Sequence, residues 1–250
     1  MKNTCKYGII VLVAVIIGYL MLACKDSSIP LETDENLTGL SFTLTDNDSA
    51  YSVSKAKTTE TDVIIPAFYA GKPVTSIGIA GFYEAEELKS IQMPSSVKIA
   101  RLAFAGCAAL RDVKIPSGPY IWEFTFADCS SLRNVAFPDD LLGIGYSAFS
   151  QCALMDITLP SGTISIGDSA FWGCVNLKSV VLPESITKIG DFAFDQCDEL
   201  THVTLLGGAI KSANFGDSAF YGNLKEIFFS ADGGTGTYSR TFGSTFWIKE

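Results

Sequence analysis

The 250-residue chain has a single histidine, only 18% charged residues and no excess of basic over acidic side chains. The lone His202 precedes Val203 in a strand-like stretch, where a solvent-facing imidazole has neither a nucleophile nor an orienting acid beside it. Histidine-based acyl transfer is therefore excluded. With 18 basic residues against 27 acidic ones the formal net charge is −9, a surface that repels nucleic acid and anionic headgroups. The turn Gly233-Gly234-Thr235-Gly236-Thr237 lacks the Lys-Ser/Thr that completes a phosphate-cradling loop. No catalytic set, cofactor motif or metal motif emerges, and the chain reads as a non-enzyme.

Apolar residues are plentiful instead, at 48%, enough for a sizeable core. The first apolar stretch stands apart from that core. Lys2 and Lys6 form a basic start, and Tyr7 to Leu22 is an apolar run of sixteen residues, short of the roughly 20 that span a bilayer. The junction Leu20-Met21-Leu22-Ala23-Cys24 resembles a bacterial lipobox. That resemblance implies a signal peptide over 1–23, acylation of Cys24, and export to the cell envelope, with membrane attachment through the lipid alone. More than one acyl chain is what makes such attachment stable. Cleavage removes Lys2 and Lys6 and no acid, moving the net charge from −9 to −11. Residues 24–38 are polar and acidic and read as a flexible tether.

From residue 77 onward four residue types recur in one phase. Cys107, Cys129, Cys152, Cys174 and Cys197 are 22 or 23 residues apart, and each follows a phenylalanine by three: Phe104, Phe126, Phe149, Phe171 and Phe194. Pro94, Pro116, Pro138, Pro160 and Pro183 keep the step, as do Ile77, Ile99, Ile121, Ile144, Ile166 and Ile189. One unit runs Ile166-Gly-Asp-Ser-Ala-Phe-Trp-Gly-Cys-Val-Asn-Leu-Lys-Ser-Val-Val-Leu-Pro183, and six units precede a degenerate seventh from Phe215 to Ile227. Leu177, Val180 and Leu182 alternate as a short strand that Pro183 ends. Gly167 suits a tight corner, and Asp168 or Ser169 an N-cap for one or two helical turns that carry Ala170, Phe171 and Cys174 inward. The expected fold is an α/β repeat solenoid, a right-handed coil of about six to seven such units with short strands and short helices. Stacking coils at about 4.8 Å buries a core that no coil could bury alone.

These landmarks resemble the leucine-rich repeat of the BspA or Treponema pallidum type, with its Ala-Phe, Cys and Leu-x-x-Val-x-Leu-Pro positions. The resemblance covers residues from about 61 to 229, and Ala85, Thr125 and Leu206 depart from it where cysteine, alanine and proline stand elsewhere. Residues 39–73 read as an N-terminal β cap with a hairpin turning at Asp46-Asn47-Asp48, 74–229 as the array, and 230–250 as a C-terminal cap.

The cysteine file tempts a metal or redox reading. Thiols in single file diverge along an axis, whereas a metal needs ligands converging on a point. Small buried side chains with a weak donor, repeated because the coil repeats, account for them. The two Gly-Asp-Ser triplets, 167–169 and 216–218, share one repeat phase, as corners and caps do and a unique nucleophile would not. Pro116-Ser117-Gly118-Pro119 fits a proline-helix ligand only formally and falls at a repeat corner. What remains is the outer strand face. After each unit's leucine stand Lys89, Arg111, Arg133, Met155, Lys178, Thr201 and Lys225, and further along Gln92, Lys114, Ala136, Thr158, Val181, Thr204 and Phe228 are expected to point outward. Lys89, Arg111, Lys114, Arg133, Lys178 and Lys225 thus form a candidate binding stripe. The resemblance implies protein binding or adhesion, with host matrix proteins, other-cell surface proteins or acidic glycans as partners. The alternative is a structural or scaffold lipoprotein facing the periplasm.

Overall fold

A computed structural model of the chain describes residues 39–45, 47–56 and 60–250. The segments read as signal peptide and tether, with Cys24, lie outside the described residues, as does Asp46 of the hairpin turn.

The chain winds into a β-solenoid of about seven coils, each near 23 residues long. Every coil has three sides. The first is a strand of three or four residues: β3 (Asp62–Ile64), β6 (Ser90–Gln92), β8 (Asp112–Lys114), β10 (Asn134–Ala136), β12 (Asp156–Thr158), β14 (Ser179–Leu182) and β16 (His202–Leu205). β3 pairs β6, β8 pairs β10, and β12 pairs β14, which pairs β16, all parallel and in register. Each strand turns its central valine or isoleucine inward and its flanking residues out, as an extended chain must. The second side carries β5 (Lys72–Ile77), flanked by the antiparallel β4 (Phe68–Tyr69), then β7 (Lys98–Ile99), β9 (Tyr120–Ile121), β11 (Gly143–Ile144), β13 (Ser165–Ile166) and β15 (Lys188–Ile189).

The third side departs from the expected helical turns. It is a run of tight turns in which residues four apart take left-handed backbone angles: Leu102 with Gly106, Phe124 with Asp128, Ser147 with Gln151, Ser169 with Gly173. Left-handed residues cannot continue a right-handed helix. The alternation instead aims every second amide along the stack. Phe104 N–H donates to Thr125 O, Phe126 to Ala148 O, Phe149 to Ala170 O and Phe171 to Ala193 O, at 2.8–2.9 Å. Asp168 is likewise no cap for its own turn; its Oδ1 accepts from the Asp191 amide of the next coil at 3.1 Å.

The phenylalanines meet as the repeat demands. Phe82, Phe104, Phe126, Phe149, Phe171, Phe194 and Phe220 stack with centroids 4.7–5.5 Å apart and planes within 17° of parallel. Each stacked pair contributes about 0.5–1.5 kcal/mol beyond the area it buries. The five array cysteines are buried and free. Each donates its thiol to the carbonyl of the phenylalanine one coil earlier, from Cys107 on Phe82 O at 3.2 Å to Cys197 on Phe171 O at 3.2 Å. A small apolar residue with one weak donor fits that position as alanine or leucine would not.

The corner glycines answer a different need from the one expected. None of Gly145, Gly167, Gly190 and Gly216 has a left-handed angle. Their role is close approach: a Cβ on Gly167 would lie 2.7 Å from Gly145 C, and one on Gly190 2.5 Å from Gly167 C. The backbones of successive coils touch here, and hydrogen fills the space between them.

Both ends of the stack are covered. The hairpin β1 (Leu40–Leu44) and β2 (Tyr51–Lys55) lies beside β5, with Phe42 stacked on Tyr69 at 3.9 Å. At the far end a short helix, α1 (Leu224–Phe228), leads to β17 (Gly236–Ser239), which runs antiparallel to β16, and β18 (Ile248–Lys249), which runs antiparallel to β17. Asn223, in the cysteine position of the seventh coil, accepts the Trp247 amide at 2.8 Å and ties that segment down. Buried Arg240 donates to the carbonyls of Leu200, Cys197 and Asp198 and lies 5.1 Å from the Trp247 ring centroid. The array's parallel pairing starts at Asp62, inside the stretch read from sequence as the N-terminal cap.

Two outcomes follow from this packing. Gly190→Ala is expected to lower stability by about 3 kcal/mol or more in urea unfolding, whereas Gly162→Ala, whose Cβ meets only ordinary contacts, leaves the midpoint nearly unchanged. Burial also pushes the Cys152 and Cys197 thiols up from their ordinary value. Their stabilising effect is whole below the unfolded thiol value of about 8.5 and declines as pH rises towards the raised folded values. Unfolding free energy should therefore fall above that pH by about 1.4 kcal/mol per pH unit per thiol, and Cys152→Ser with Cys197→Ser should flatten the slope.

Candidate binding surface

The open face of the first strand side is the candidate surface, and its outward residues stand in three files. Backbone bonds fix the first in register: Arg111 N–H donates to Lys89 O, Arg133 to Arg111 O, Lys178 to Met155 O and Thr201 to Lys178 O. Lys89, Arg111, Arg133 and Lys178 are all exposed, so four of the six stripe residues do line up along one edge. Lys178 lies 3.9 Å from Glu199, an exposed and therefore weak pair. Lys114 is exposed in the third file, between Gln92 and Ala136.

Two expected members lie elsewhere. Lys225 sits on α1, half-buried, with its Nζ 2.8 Å from Asp217 Oδ1. Phe228 is buried in the core and does not point outward. The seventh coil has no parallel strand here because β17 takes the edge of β16 in the opposite direction.

Between the basic file and the third file runs a second file that the sequence reading passed over: Asp62, Ser90, Asp112, Asn134, Asp156, Ser179 and His202. It is self-satisfied in pairs across neighbouring coils. Ser90 Oγ donates to Asp62, Asn134 Nδ2 to Asp112 at 2.6 Å, and Ser179 Oγ to Asp156 at 2.6 Å. The Ser90 and Thr61 hydroxyls hold the Asp62 carboxyl below the usual carboxylate range. Alternating acids and neutral donors on coils about 4.8 Å apart avoid the repulsion that a continuous acidic file would suffer. The signal was available as Asp62, Asp112 and Asp156 in one repeat phase. The face is thus a striped surface, cationic along one edge and acidic beside it. His202 is exposed in the acidic file, with Nδ1 3.0 Å from the hydroxyl of its neighbour Thr201. Among the described residues no cluster of histidine, cysteine and acid side chains could hold a metal.

With coil, ladders and face in place, the chain can be set beside known proteins. The BspA type Leucine rich repeat region matches residues 60–161 and 142–250, with six copies. The chain belongs to this family. The Treponema pallidum leucine-rich repeat protein TpLRR superposes with a TM-score of 0.65 at 31% identity, over 71% of this chain and 83% of that one. A leucine-rich repeat protein from Bacteroides ovatus follows at TM-score 0.60 and 26% identity, over 79% of this chain but 56% of its own length. One from Eubacterium ventriosum shares the fold at 22% identity and TM-score 0.53, over 70% of this chain and half of that one. No functionally curated protein matches the sequence. These BspA-type repeats make a binding fold rather than a catalytic one, and proteins are their general class of partner.

Proposed function

We propose that the protein is a cell-envelope lipoprotein that binds other proteins through its open strand face. The observation that carries this reading is the exposed basic file of Lys89, Arg111 and Arg133, bonded coil to coil through the backbone, with Lys178 exposed on the same edge beyond the unpaired β10–β12 step. A rigid row of cations steers and orients an acidic partner, and backbone spacing fixes it more firmly than four independent side chains could. The adjoining acidic file adds specificity, because a uniformly anionic partner meets repulsion one residue further on. The partner class is an acidic surface on a matrix or neighbouring-cell protein. Acylation at Cys24, after a signal ending at Ala23, supplies the anchor, and export to the outer surface fits a face with no covering element.

Charge reversal tests the face. Arg111→Glu, Arg133→Glu and Lys178→Glu together should weaken capture of immobilised matrix proteins at least tenfold, and added salt should weaken the unmodified chain in the same direction. Unchanged capture would remove this face as the site. Competition by a sulfated polysaccharide at low concentration would shift the partner class to acidic glycans. Labelling cells with a radioactive fatty acid should mark the protein and lose the mark in Cys24→Ala. Protease treatment of intact cells should digest it, whereas protection would favour a scaffold facing the periplasm.

A further inference from the structure

The second side of the coil carries a seam whose hydrogen bonding is broken at one step. In every other coil the residue after the ladder isoleucine donates its amide to the coil before. Ala100 N–H reaches Ile77 O at 3.2 Å, Gly145 reaches Ile121 O at 2.8 Å, Gly167 Ile144 O at 2.8 Å, Gly190 Ile166 O at 2.9 Å and Gly216 Ile189 O at 2.7 Å. Among the described residues the bond from Trp122 N–H to Ile99 O is absent, and β7 does not pair with β9. At this step Pro119, which has no amide, stands two residues before the isoleucine, where Leu142, Ile164 and Thr187 of the later coils each donate to the preceding coil. The strand face also has unpaired steps, between β6 and β8 and between β10 and β12, and the aromatic beside the second, Phe137, packs edge-on against core Phe149.

A cavity of about 230 Å³ lies in the opened seam, between Val97–Ile99 and Ile115–Trp122. Its lining is apolar at Ile99, Ile115, Ile121 and Phe126, with the Lys98 and Ser117 side chains also on its wall. Tyr120 and Trp122, each about half exposed, stand beside it with ring centroids 5.8 Å apart and planes at 41°. Both break the repeat. Trp122 stands where the later coils have Gly145, Gly167, Gly190 and Gly216, and Tyr120 where they have Gly143 and Ser165. Thr125 replaces the alanine of its neighbours, and its hydroxyl donates to Trp122 O at 2.8 Å, fixing the tryptophan backbone. Four departures in one coil converge on one groove.

We infer that this groove is a carbohydrate site that takes a single pyranose residue of a glycan. The volume falls below the roughly 300–1,000 Å³ of drug-sized pockets, so it fits one ring rather than a peptide stretch. A pyranose offers apolar C–H faces to Tyr120 and Trp122 and hydroxyls that both donate and accept. Those hydroxyls suit the unpaired Ile99 carbonyl and Trp122 amide, which a purely apolar ligand would leave unsatisfied. An extended peptide needs successive ladder positions, and Pro119 removes the next one. The groove lies on a different side of the coil from the basic file, so it is a second site and does not depend on protein binding at the first.

Saturation-transfer NMR on the full-length chain tests this with methyl glycosides of glucose, galactose, mannose, N-acetylglucosamine and N-acetylneuraminic acid. At least one should receive saturation on its ring C–H protons and bind with a dissociation constant of about 1 mM, as weak single-residue recognition does. Trp122→Gly, which installs the residue the later coils carry, should lower that affinity at least tenfold. Phe192→Ala, an exposed aromatic outside the groove, should leave affinity within twofold. Failure of every glycoside to bind, or equal binding by Trp122→Gly, overturns the assignment. Preferential binding of a proline-rich peptide would overturn it as well.

Discussion

The whole molecule depends on the close approach of one coil's backbone to the next. Coils can stack at strand spacing only if all three sides accept it at once. Strand sides do so with parallel ladders, and the turn side with amides that left-handed residues redirect along the stack. Glycines at 145, 167, 190 and 216 let the corners touch, and the phenylalanine rings sit at a separation their π-faces favour. The cysteines complete the arrangement by donating to the phenylalanine carbonyls of the coil before. With the inside committed in this way, function is left to the outward positions.

Those outward positions inherit the repeat's geometry. A residue type that recurs at one phase becomes a straight file, so charge and aromaticity are displayed as stripes rather than as scattered points. The basic file and its acidic neighbour are such stripes, and the neutral Ser90, Asn134 and Ser179 between the acids show that a file must also manage its own repulsion. Where one coil breaks the pattern, as Pro119, Tyr120, Trp122 and Thr125 do together, the break is local and the stack closes again at Gly145.

Much of this was legible from the chain. The phase of Phe, Cys, Pro and Ile gave coil length, inward residues and stacking, because burial repeats with the backbone. Direction of the turn amides was not legible: Leu102, Phe124 and Phe192 adopt left-handed angles that their own preferences oppose, and tertiary hydrogen bonds impose them. That is why Gly-Asp-Ser-Ala-Phe read as a capped helix. The corner glycines were found, yet their reason, contact with the next coil, exists only once coils are stacked. Lys89, Arg111, Arg133 and Lys178 share one edge of the face, as residues of one repeat phase do, whereas Lys225 and Phe228 leave it because the last coil turns into a cap. Pro116-Ser117-Gly118-Pro119 stands out in the sequence, but the unpaired step beside it, where β7 does not meet β9, exists only once coils are stacked.

Hydrogen exchange followed by mass spectrometry tests the stacked-coil account most directly, because it reads the turn side amide by amide. Coil-to-coil bonding requires the amides of Phe104, Phe126, Phe149 and Phe171 to exchange as slowly as those of the strands, in one cooperative unit. Fast exchange along that side, with protection confined to the strands, would contradict it.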